Sequence, residues 1–124
     1  MKKALFLAPL VVLAACATSA QGKLRQATYD LASAYHVLAN PMPDVMAGKV
    51  PGVTLTDDQK AIAKRASQTV FNEISSLEES ISSDQTITET AVSAAQTDLA
   101  SFTACWTGLK QGQTQDACQK IGAN

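Results

Sequence analysis

The chain has 124 residues, 46% of them hydrophobic but only 5% aromatic, and its formal net charge is −1. That length limits it to one domain. A near-neutral chain with no basic stripe is excluded as an electrostatic nucleic-acid binder. It also has no Coulombic pull toward anionic lipid, so any membrane attachment has to be hydrophobic.

Met1 is followed by Lys2 and Lys3 and then by an apolar run from Ala4 to Ala15. A charged stretch ahead of so short an apolar run reads as an export signal; a transmembrane helix needs about 20 apolar residues. Pro9 in mid-run and the lack of a polar face argue against a buried core helix. Residues 1–15 are therefore expected to be removed, leaving eight basic against eleven acidic side chains, a net charge of −3. Two cuts compete. Thr18-Ser19-Ala20, ahead of Gln21, offers small residues to an ordinary signal peptidase, whereas Leu13-Ala14-Ala15-Cys16 places a branched apolar residue, two small ones and a cysteine at the end of the run. Either cut leaves Cys105 and Cys118 as an even pair in an oxidising compartment, so the cysteine count does not separate them. The second tetrad is the better motif.

That tetrad resembles the lipobox of bacterial lipoprotein precursors. The resemblance implies that the Cys16 thiol is diacylglycerylated, that the chain is cut before it, and that the new amino group is often acylated. Two or three acyl chains anchor stably where one is marginal. Ala17 is not the Asp that holds some family members at the inner membrane, which implies an outer-membrane protein facing the periplasm. Residues 16–22 then form a lipidated tether, keeping the domain at 23–124 within roughly 20 Å of the bilayer. Cys16-Ala17-Thr18-Ser19, followed by Gln- and Ala-rich amphipathic helices, is also similar to small accessory lipoproteins of phage and prophage regions in Gram-negative bacteria, some near lysis genes. The chain lacks the proline-rich character of the outer-membrane spanin subunits.

Three stretches of the domain carry helical periodicity. The first, about 21–39, spaces Leu24, Thr28, Leu31, Tyr35 and Leu38 by alternating fours and threes, and Asn40-Pro41 ends it. The loop 41–55 follows, with three prolines and two glycines; a loop of that length is functional or flexible. The second helix, 57–82, opens on a capping box, Thr56 with Gln59, and has Asp57 and Asp58 in its first turn. Its seam is Ala63, Ser67, Val70, Ile74, Leu77 and Ile81. The third, 87–110, has a capping box of its own in Thr86 and Glu89 and a seam of Val92, Ala95, Leu99, Phe102, Trp106 and Leu109, with a stop at Gly112. A short helical segment at 113–121 brings Cys118 back to Cys105, and closing that disulfide stabilises the fold by about 3 kcal/mol. No strand alternation occurs. The expected fold is all-α, a small three-helix antiparallel bundle: a helical hairpin, since the second and third helices are joined by few residues, plus the N-terminal helix and a short C-terminal segment. Many seam positions are Ala, Ser or Thr, so the core is thin.

Catalytic chemistries fail one at a time, and no enzyme is expected. His36 is a lone helical histidine. No Cys-x-x-Cys-His, no paired Glu-x-x-His, no phosphate loop and no nucleophile elbow occurs. Glu73, Glu78 and Glu79 cluster off the seam of the second helix, as a solvated face does. Met42 and Met46 with His36 raise a Cu(I) idea too weak to carry a metal site, and no cofactor is expected beyond the lipid on Cys16. Cys105 and Cys118 lack redox spacing and read as structural. Phe102 and Trp106 are core residues first and candidate partner contacts second.

Two functional classes remain. One is a lipid-anchored, non-catalytic module that binds another envelope protein or itself. The other is a small ligand-, metal- or enzyme-inhibitor-type binder using the loop 41–55, where Asp44, Lys49 and the two methionines are the distinctive side chains.

Overall fold

A computed structural model of the chain describes residues 2–113 and 116–121, with side chains from Ala20 onward. The export signal and lipobox expectations, Cys16 included, fall on side chains outside that description.

The fold is all-helical: α1 (Lys2–Ala39), α2 (Met42–Met46), α3 (Asp57–Ser82), α4 (Glu89–Lys110) and α5 (Ala117–Lys120). α1 packs on both α3 and α4, and α5 lies on α4 and α3. All three seams read from the sequence face one core. Leu31, Tyr35, Val70, Ile74, Leu77, Val92, Phe102, Trp106 and Leu109 are buried together, with Leu24, Leu38 and Ile81 packed at its margin. Thr28 is also buried, and its hydroxyl donates to the Leu24 carbonyl four residues back, 3.0 Å away, so a polar seam position leaves no orphan group.

Four differences from the expected elements have local causes. Residues 16–20, expected as a tether ahead of the first helix, are already helical within α1; Gly22 weakens a helix without breaking it. α4 starts at Glu89 because Thr88 caps it, accepting from the Ala91 amide at 3.1 Å; Thr86 is not the cap. Ile87 is held out of the helix by the Gln21 side chain, which accepts from its N–H (3.1 Å) and donates to its carbonyl (2.9 Å). Ile87 and Val92 are both buried, flanking Thr88 as a hydrophobic staple does. The third difference is the loop. It contains α2, and Met42, Val45 and Leu55 pin it to the core. Finally, of the C-terminal segment only Ala117–Lys120 is assigned as helix, and residues 114 and 115 lie outside the described set. The Thr56–Gln59 capping box is present in both halves.

Three helix ends close in the same way. Beyond α2, α3 and α4 the amides of Lys49, Gln85 and Gln113 reach back to the carbonyls of Asp44, Ser80 and Gly108 at 2.8–2.9 Å. Each closure needs a left-handed residue. Gly48 and Gly112 fill it twice, but at the α3–α4 turn it is Asp84, at φ 56°. The Asp84 side chain also accepts from Arg25 on α1, 3.2 Å away.

Cys105 and Cys118 form a disulfide, with Cα atoms 4.7 Å apart, and both are buried. The bond ties α5 to the last turns of α4, where Trp106 and Leu109 are covered.

Candidate functional site

The seam spacing turns Tyr35 inward at the C-terminal end of α1, where α3 begins. Its hydroxyl shares a 2.8 Å hydrogen bond with Ser67 of α3, and its ring lies against Phe71 and Phe102, with centroids 5.9 and 6.3 Å away. Above this ring α2 leans over the gap between α1 and α3. An open groove of about 550 Å³ results, with Tyr35 and Ala39 on one wall, Met42, Pro43 and Met46 on a second, and a stripe of half-buried Lys60 with exposed Ala61, Lys64 and Gln68 on a third. That volume is within the range of small-molecule sites, roughly 300–1,000 Å³.

The groove is chemically two-sided. Its floor is mostly carbon, and the two hydroxyls there, Tyr35 Oη and Ser67 Oγ, bond each other. Its rim carries two ammonium groups one helical turn apart. Among the described residues neither Lys60 nor Lys64 makes an ion pair; the pair that occurs is Arg25–Asp84, at the other end of the bundle. Lys60 also borders a second, smaller hollow of about 360 Å³ under Val50 to Leu55.

A second polar feature sits between α3 and α4. Asp98 is 1% exposed, and Glu73 lies across from it. Burial pushes the Glu73 carboxyl up to about 8, and a hydrogen bond to Asp98 together with that neighbour's charge pushes in the same direction. Glu73 Oε2 is buried with no donor in reach among the described residues. That surrounding suits a carboxylic acid that donates to Asp98 and does not suit a carboxylate. Asp98 is enclosed by the helix packing while Glu73 keeps partial contact with solvent, and the pair borders neither hollow, so it works as a polar contact at the edge of the interface.

The remaining sequence candidates separate. Phe102 and Trp106 are 0% and 1% exposed. As candidate partner contacts they are corrected: both are interior, because the third seam faces α1 and α3 along its whole length. Lys110 lies over the Trp106 ring, 5.6 Å from its centroid, and closes the solvent side. Met42 and Met46 reach the groove, but His36 is exposed and outside its lining, so the three do not converge. Among the described residues no group of three His, Cys, Asp or Glu side chains is placed to hold a metal ion. Asp44 and Lys49 are exposed, outside the groove. Glu78 and Glu79 are on α3, away from it. Among the described residues no helix is long and apolar enough to cross a membrane.

Lys60, Lys64 and Asp98 went unremarked in the sequence reading, although each carried a signal. Lys60, Lys64 and Gln68 form a stripe at intervals of four beside the seam Ala63–Ser67–Val70. Glu73 and Asp98 each sit three residues past a seam position, and they are equidistant from the short α3–α4 turn, which sets them opposite each other.

Comparison with protein-family models, curated proteins and solved structures finds no match to this chain.

Proposed function

We propose that the mature chain is a lipid-anchored, non-catalytic binding module of the cell envelope, tethered through Cys16 and facing the periplasm, whose binding face is the groove between α1, α2 and α3. The observation that carries the reading is that groove: a two-sided cleft beneath the one long connection of the chain. Of the two classes left open by the sequence, it favours the ligand binder that uses the loop. The protein-partner class loses its two aromatic contacts to the core.

The tether and the groove are at opposite ends. From Ala20 to Ala39, α1 rises about 29 Å at 1.5 Å per residue. The α3–α4 turn, held by Gln21 and Arg25, lies on the anchored side, and the groove is on the far side, open to the periplasm. An anchored module of this kind samples the space about one domain's length from the bilayer.

Intact-mass measurement on protein purified from membranes, beside a Cys16→Ala variant, tests the anchor. The expected result is a chain beginning at Cys16, carrying a diacylglyceryl adduct and two hydrogens fewer for the Cys105–Cys118 bond. A chain beginning at Gln21 without lipid overturns the anchored reading. Replacing residues 42–50 by Gly and Ser, with retention of helical circular dichroism, tests the binding face in the cell: phenotypes of a deletion strain should reappear in this variant.

A further inference from the structure

We propose that the groove binds a long-chain fatty carboxylate, with the acyl chain along Tyr35, Ala39, Met42 and Met46 and the carboxylate between the ammonium groups of Lys60 and Lys64. The inference rests on the binding-module reading and adds the class of ligand to it.

Three observations select this chemistry. The floor is poor in hydrogen-bonding groups, and its two hydroxyls, Tyr35 Oη and Ser67 Oγ, already bond each other at 2.8 Å; a polar ligand such as a sugar would leave most of its own hydroxyls unpaired there, which costs about 1–3 kcal/mol each. One wall is built by Met42 and Met46, whose unbranched thioether chains re-pack around apolar ligands of varied shape. At the rim, Lys60 and Lys64 are four residues apart on one helix, where like charges repel, and among the described residues neither has an acidic partner within ion-pair distance. The mature chain is acidic, and α3 opens with Asp57 and Asp58 in its first turn, yet the two charged side chains it places on the groove itself are Lys60 and Lys64, with Glu73, Glu78 and Glu79 farther along the helix. A single anionic head between the two lysines removes their repulsion and leaves the chain over the carbon floor.

The test uses the full chain in its native membranes. A palmitate analogue carrying a chain-terminal diazirine is added and irradiated, and the labelled peptides are mapped. The expected result is saturable labelling at Met42–Met46 and Ala61–Gln68, displaced by excess palmitate and not by hexadecanol, which has the same chain without the charge. Lys60→Gln/Lys64→Gln should lower labelling at least tenfold. Ala61→Trp, an exposed position that fills the groove, should abolish it with both lysines intact, and an unchanged thermal melt shows that either variant is folded. Labelling spread along α1 and α3 without saturation, equal displacement by hexadecanol, or indifference to both variants overturns the proposal. So does displacement by lysophosphatidylglycerol with none by palmitate, which would make the ligand a phosphate amphipath, and so does a cross-linked dimer seated at the groove. Lipidated protein that fails to label removes the fatty carboxylate alone; labelled protein without a lipid on Cys16 removes the anchor alone.

Discussion

The two ends of α3 meet the rest of the molecule in opposite ways. At its C-terminal end the side chains around the turn reach across elements, although Arg25 Nε is buried without a partner among the described residues. Gln21 clamps both backbone groups of Ile87, Asp84 takes the left-handed corner and accepts from Arg25, and Ile87 and Val92 staple the start of α4. At its N-terminal end Tyr35 and Ser67 bond each other, whereas Lys60 and Lys64 make no ion pair among the described residues. The first arrangement stabilises a turn; the second leaves a cleft with charge on its rim. A small bundle with a thin core has few kcal/mol to spare. Between the ends, the Glu73–Asp98 contact crosses from α3 to α4 and couples packing to pH.

The largest expected effect lies behind the groove. Phe102→Ala removes a fully buried ring against which Tyr35 rests, and should cost about 3–5 kcal/mol in urea denaturation. In a domain of this size that leaves most of the molecule unfolded; a loss below 1 kcal/mol would show that the groove end collapses to fill the space. Reduction of the Cys105–Cys118 bond follows, at about 3 kcal/mol in the chain-entropy model for a short loop, read as the shift in urea midpoint with and without dithiothreitol. The closed end comes next. Gln21→Ala strands the N–H and carbonyl of Ile87 and should cost about 1–3 kcal/mol, while leaving palmitate labelling at the groove unchanged. If that labelling falls, the two ends are not independent.

The smallest expected effect tests the contact between them. Glu73 has its folded-state pKa raised from 4.5 to about 8. A raised carboxyl pKa means that folding is helped while the acid is protonated in both states, and that stability is lost as pH climbs from about 4.5 to about 8, where the unfolded chain ionises first. Glu73→Gln, which keeps a donor toward Asp98 and cannot ionise, should therefore match the wild type near pH 4 and exceed it at pH 8. The expected difference is about 1–2 kcal/mol, less than the full shift implies because Glu73 keeps partial contact with solvent. Equal stability of the two proteins across pH 4–8 would mean that Glu73 is ionised in the folded state, and the acid–acid contact would have to be abandoned.

Local chemistry made much of the fold legible. Alternating threes and fours placed nearly every core residue of α1, α3 and α4, and Thr56 with Gln59 marked a helix start without tertiary help. These features are local: they depend on which side chains recur on one face and on which groups cap a backbone end. The start of α4 was misplaced by two residues because Thr86 and Thr88 are equally good caps. The choice between them was made by Gln21, far away in the chain, whose amide bonds both backbone groups of Ile87 and holds it outside the helix.

The candidate site was legible only in fragments. The two methionines, the lysine stripe and Tyr35 were visible as residues, but nothing along the chain said that 41–55 would coil into α2 and lean over the α1–α3 gap. Phe102 and Trp106 show the same division. Their place on a seam followed from spacing, whereas their complete burial was decided by α1 and α3 packing on α4. The sequence by itself determined helix type and helix faces, because period and caps act within a segment. Tertiary structure decided which polar groups are spent and which are free. Whether a lysine, a carboxyl or a glutamine amide has a partner depends on what another helix brings within 3 Å, and that is settled only by packing.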